Sequence, residues 1–117
     1  RIRTYRIIVA NLLDHYQLPQ HAVFIAGDLG KLLEGEGEHQ QLIIATTAAV
    51  SAVTAGIDMM SLIPSNGADD ESARLGLNIQ LMLKMESQLD QLGDPLSGSY
   101  VIENSCAELA KKIWNKL

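Results

Sequence analysis

The residues that could do chemistry are few. They are the polar ones that follow two short apolar runs: Gly27 and Asp28 after Ala22-Val23-Phe24-Ile25-Ala26, and Pro64, Ser65 and Asn66 after Ile57 to Ile63. In α/β sheets and barrels, binding and catalytic groups collect where strands end at their carboxyl side. These same residue types also serve turns, where Gly, Pro, Asn and Asp are chosen for backbone geometry. Both readings stand for this chain.

Other patterns carry less. His15, His21 and His39 lack the one-turn spacing of a metal-binding pair and read as solvated or helix-end residues. Cys106 lies on an amphipathic stretch with no histidine near it in sequence, and reads as a packing residue. Gly30-Lys31 with Gly35 and Gly37 does not match a phosphate-binding loop, because no Lys-Ser or Lys-Thr pair follows at the required distance. Glu34, Glu36 and Glu38 read as a solvated loop. From the residues alone, no active site is recognisable.

The elements that would position these groups alternate. Apolar residues at Ile2, Tyr5, Ile8, Val9, Leu12, Leu13 and Tyr16 predict a helix over 1–17, closed before Pro19. The run at 22–27 predicts a strand buried on both faces. One helical turn is expected at Leu32-Leu33, then a helix over 38–54 whose Ala48, Ala49, Ala52 and Ala55 allow close packing. A second strand is predicted at 57–63, ended by Pro64-Ser65-Asn66-Gly67. Asp69 and Asp70 mark the start of a long helix to about Leu92. On it Leu75, Ile79, Met82 and Leu89 form one face, widened by Leu77, Leu81, Met85 and Leu92. Ser105 and Glu108 have capping-box spacing for a last helix over 105–116. This order predicts an α/β class, mostly helical, with about two parallel strands joined by a right-handed crossover.

Composition sets the outer limits. With 117 residues the chain suffices for one domain but falls short of a whole (β/α)8 barrel, which needs about 250. A net charge of −5 argues against a duplex nucleic-acid surface. No apolar stretch approaches the roughly 20 residues that span a bilayer. A single cysteine excludes an internal disulfide and fits a reducing compartment, so a cytoplasmic location is expected. Arg1 to Arg6 begin already in helical rhythm, which reads as a cut inside a larger protein.

The tail carries a resemblance. Ser72-Ala73-Arg74-Leu75-Gly76-Leu77-Asn78-Ile79-Gln80-Leu81, then Glu86-Ser87, then Asp94-Pro95-Leu96-Ser97-Gly98-Ser99-Tyr100 resembles the end of the barrel domain in methylmalonyl-CoA mutases. There the pattern is Ser-Ala-Arg-Ile-Ala-Arg-Asn-Thr-Gln-Leu, a Glu-Ser pair, and Asp-Pro-x-Gly-Gly-Ser-Tyr. Val101-Ile102-Glu103 and the helix with Glu108-Leu109-Ala110 and Trp114 continue it. Upstream, Arg3 and Arg6 resemble the arginines of the family's Lys-Leu-Arg-Ala-x-Arg helix. Thr46-Thr47-Ala48-Ala49 through Ala55-Gly56 is similar to its alanine-rich helix ending in Gly-Gly.

The resemblance implies a piece of a TIM barrel from the last third of the barrel domain. It also implies adenosylcobalamin radical chemistry interconverting methylmalonyl-CoA and succinyl-CoA. In catalytic members the next segment reads Thr-Gln-Ser-Leu-His-Thr-Asn, with an Asp-Glu soon after. Here the Gln position falls on Asp58, the His on Ser61 and the Asn on Ile63, and Asp69, Asp70 and Glu71 come too late for the acidic pair. Gly35-Glu36-Gly37-Glu38 replaces the family's Thr-Arg-Arg-Asp-Pro. An isoleucine cannot hydrogen-bond a sugar hydroxyl, and an aspartate repels a bound anion.

The resemblance is therefore to the small, non-catalytic subunit. It implies no cofactor on this chain, adenosylcobalamin in a homologous large catalytic partner, and self-association of the isolated piece. Two alternatives remain: an active isomerase with a divergent site at Asp58, Ser61 and Asn66, or an unrelated helical interaction module with no strand at 57–63.

Overall fold

The computed structural model describes residues 1–19, 23–33, 38–63 and 70–116. In chain order its elements are α1 (Ile2–His15), β1 (Ala26–Asp28), a 3₁₀ turn (Gly30–Leu33), α2 (Glu38–Thr54), β2 (Met59–Ser61), α3 (Asp70–Met85), a second 3₁₀ turn (Leu89–Gln91) and α4 (Tyr100–Trp114). β1 and β2 pair in parallel, with Ala26 opposite Met59, Gly27 opposite Met60 and Asp28 opposite Ser61. The result is a mostly helical α/β arrangement with two parallel strands. A strand at 59–61 is what the helix-only alternative excludes.

α2 runs over the range that its pattern predicts, and its alanines explain its packing. Ala45, Ala49 and Ala52 are buried, so the helix backbone comes close to the core formed with Leu62, Ile79 and Leu83. Leu29, Leu32, Leu42, Val53, Met60 and Leu89 close around that cluster. α1 and α4 pack on each other as a second layer. Thr4 and Ile8 are the buried residues of α1.

The strands are shorter than the predicted 22–27 and 57–63, with residues 23–25, 57–58 and 62–63 outside the ladder, and four further expectations need correction. α1 stops at His15 because Gln17 takes a left-handed φ of 53° and the Leu18 N–H reaches back to the Leu13 carbonyl, two residues ahead of Pro19. α3 stops at Met85, not near Leu92. The amides of Glu86 and Ser87 both donate to the Met82 carbonyl, and Gln88 turns left-handed at φ 50°. α4 begins at Tyr100, five residues before the expected start. Its first turn is closed by Glu103, whose Oε1 accepts from the Gly98 N–H at 3.0 Å. Ser105 lies inside the helix, with its hydroxyl donating to the Val101 carbonyl at 2.8 Å.

The fourth correction concerns burial. The strands are not covered on both faces: Phe24, just before β1, is 68% exposed and Met59 of β2 is 56% exposed. On α3 the buried line is Gly76, Ile79 and Leu83, while Leu77, Leu81, Met82 and Met85 face outward. Among the described residues the sheet has two strands, and no further strand covers the remaining apolar groups. The Cα radius of gyration is 16.6 Å, larger than the roughly 13 Å of a compact chain of this length.

Candidate functional site

Backbone packs closely against the carboxyl end of β2. Leu62 is fully buried, and Gly76 of α3 sits so close that a Cβ there would lie 2.2 Å from the Leu62 carbonyl oxygen. On the other side, a Cβ on Gly30 would lie 2.0 Å from the Ile63 carbonyl oxygen. Two glycines thus let the first 3₁₀ turn and α3 clamp the strand exit where a barrel enzyme would place its ligand. The Asp28 carboxylate is also engaged, its Oδ1 accepting from the Gly30 N–H at 2.9 Å. The Leu29 N–H donates to the Ser61 carbonyl at 2.8 Å, and Ile63 is 57% exposed.

Asp58 is at the opposite end. It precedes β2, and its Oδ2 accepts from the Ile25 N–H at 2.7 Å and from Arg6 Nη2 at 2.6 Å. Arg6 also donates to the carbonyls of Val23 at 2.7 Å and Gly56 at 2.8 Å. The Ile25 amide is the main cause that holds the Asp58 carboxyl below its ordinary range; partial desolvation pulls the other way, and Arg6 adds to the lowering. This carboxylate ties the lead-in of both strands to α1. A second pair joins Arg3 to Asp94, whose carboxyl is lowered chiefly by that arginine. Arg3, Arg6, Asp58 and Asp94 line one cleft of about 660 Å³ between α1, the end of α2 and the loop 89–95.

Asp58, Ser61 and Ile63 therefore do not converge. Asp58 stands at the amino end of β2, while Ser61 and Ile63 stand at its exit. Asn66, Pro64 and Ser65 lie outside the described residues, as do His21, Glu34, Gly35, Glu36 and Gly37. His15 ends α1 and His39 lies in the first turn of α2, far apart in the chain. Among the described residues no group of three or more His, Cys, Asp or Glu side chains could hold a metal, and no helix is long and apolar enough to cross a membrane.

Residues 3–117 match the methylmalonyl-CoA mutase family. The chain belongs to that family. A methylmalonyl-CoA mutase small subunit from Porphyromonas gingivalis is 35% identical over 80 residues, 65% of this chain and 13% of the relative. Methylmalonyl-CoA mutases of Rhizobium meliloti and Cereibacter sphaeroides are 33% and 32% identical over 89 and 92 residues, each covering 73% of this chain. The chain spans 13% and 12% of the first two relatives' lengths. No solved structure matches it.

Within this mutase family chain, the described residues at the exit of β2 present few polar side chains to an adenosylcobalamin. The described polar side chains there are Asp28, whose Oδ1 accepts from the Gly30 N–H, and Ser61; Ile63 offers an adenosyl sugar no hydrogen bond. Sequence reasoning missed the pairing of Arg6 with Asp58. The signal available was the retention of both arginines of the α1 motif, which by itself names no partner.

Proposed function

We propose that this chain is part of the small, non-catalytic subunit of a methylmalonyl-CoA mutase, from the C-terminal part of its TIM-barrel domain. In this reading it supports a heterodimer in which a homologous large subunit carries adenosylcobalamin and interconverts methylmalonyl-CoA and succinyl-CoA. The observation that carries it is the exit of β2. Gly30 and Gly76 pack backbone against that exit, and by the resemblance Ser61 and Ile63 take the positions of the imidazole and the amide of catalytic members.

Two further points support the reading. A relative of 35% identity is named a small subunit. The alternative of a divergent site needs Asp58, Ser61 and Asn66 to act together, yet Asp58 is spent on Arg6 and Ile25 at the other end of the strand. Calorimetric titration with adenosylcobalamin and with methylmalonyl-CoA tests it: no micromolar binding is expected, and a clear micromolar isotherm with either overturns it.

A further inference from the structure

α1 and α4 take no part in the hydrophobic core. The cluster of Ala45, Ala49, Leu62, Ile79 and Leu83, and the residues that close around it, all come from elsewhere in the chain. The two buried residues of α1 lie toward α4 instead: Thr4 shares a hollow with Ile102 and Cys106, and Ile8 shares one with Ala107 and Trp114. α4 has no buried residue of its own. The two helices thus pack as a pair. The cleft of about 660 Å³ lies between the α1 side of that pair and the end of α2.

Arg6 carries polar ties across the cleft, to the Val23 and Gly56 carbonyls and to Asp58. The Arg6–Asp58 pair is partly solvated, its side chains 33% and 35% exposed. Arg3 does something different. It holds Asp94, in the segment that leads into α4, and so ties α1 to the root of its own partner helix. That segment also contains Gly93 and Gly98; Gly98 is left-handed at φ 79°, and neither glycine is crowded.

We propose that α1 and α4 form a single flap over the α2–α3 core, latched by Arg6 and hinged at residues 93–98, whose swing opens the cleft. Burial of an apolar face normally fixes a helix to its domain. Here it fixes α1 to α4, and releasing Arg6 breaks no contact of the core cluster. A partly exposed ion pair is weak and screened by salt, so ionic strength loosens the latch. The inference rests on packing and does not depend on the subunit assignment.

Spin labels on Glu108→Cys of α4 and Ser51→Cys of α2, in a Cys106→Ser background, measure the distance across the cleft by pulsed double electron resonance. Emission of Trp114, the chain's single tryptophan, reports whether α4 stays on α1. One short distance is expected at low salt. Arg6→Ala should add a second, longer distance, and raising salt from about 0.05 M to about 1 M should do the same in the chain that keeps Arg6. Trp114 emission and the slow hydrogen exchange of Ala49 and Ile79 should stay constant throughout. An unchanged distance in Arg6→Ala or at high salt overturns the proposal. So does a shift of Trp114 emission, which would mean that the two helices part, or faster exchange at Ala49 and Ile79, which would mean that the core unfolds.

Discussion

Arg6 and Asp58, fifty-two positions apart, meet at 2.6 Å and join the first helix to the start of the second strand. The guanidinium spans three acceptors on two strand lead-ins, and the carboxylate shares its Oδ2 with the Ile25 amide. A planar fork with fixed donor directions can bridge such a set, and an ammonium cannot. Asp58 is therefore a structural tie.

Replacing Arg6 should loosen α1 from the strands without unfolding α2 and α3. Arg6→Ala is expected to lower Tm and speed hydrogen exchange at Ile25 and Asp58, whose amides lie beside the tie. Arg6→Lys should fall between Arg6→Ala and the parent, because it keeps the charge but loses the fork. Unchanged exchange at those amides in Arg6→Ala would contradict the arrangement.

Acid should weaken the fold through the two tied aspartates. Asp58 and Asp94 both have folded-state pKa values below the ordinary aspartate range, Asp58 mainly through Ile25 and Asp94 mainly through Arg3. The unfolded chain then takes up the protons first, at about pH 4. Their contribution is complete above that pH and is lost as pH falls through the lower folded values. Urea midpoints measured from pH 7 down to pH 3 should decline at the acid end, and less steeply in the Asp58→Asn, Asp94→Asn double variant. Equal slopes in the two proteins would remove these groups as the cause.

The glycine clamp predicts a cost for a single methyl. Gly76→Ala must push α3 away from the Leu62 carbonyl, and overpacking of this kind costs about 1–3 kcal/mol. Leu62→Ala, which empties the fully buried centre, should cost about 2–5 kcal/mol. Chemical denaturation measures both. A neutral or stabilising Gly76→Ala would mean that α3 does not lie against the strand exit.

How much of this was legible in the sequence varies by element. The helix over 38–54 could be read because its alanines repeat on one face and Ala55-Gly56 follow. The end of α3 could not, because leucines continue in helical rhythm past Met85 while the break comes from the left-handed backbone of Gln88. The start of α4 was misplaced because Ser105 and Glu108 have box spacing. The contact that forms is from Glu103 to Gly98, which no standard spacing describes. At the site, the pairing of Asp58 with Arg6 was not legible, because its partner lies fifty-two positions away and periodicity does not encode such a contact.

Exposed apolar groups make self-association of the isolated chain the next expectation. Ile43, Leu77, Leu81, Met82 and Met85 all face outward on α2 and α3. Surfaces of this kind are normally covered. Sedimentation velocity should show a mass that rises with concentration, and Leu81→Glu with Met85→Glu should return it to a monomer. A concentration-independent monomer in the parent chain would contradict this.

The central claim, that this member of the mutase family assembles rather than catalyses, is tested most directly by co-purifying the protein with its candidate catalytic mutase subunit. The two chains are then separated and the cobalamin on each is quantified. Cobalamin only on the catalytic chain is the expected result. Cobalamin held by this protein would contradict the account and return Asp58, Ser61 and Asn66 to consideration as a working site.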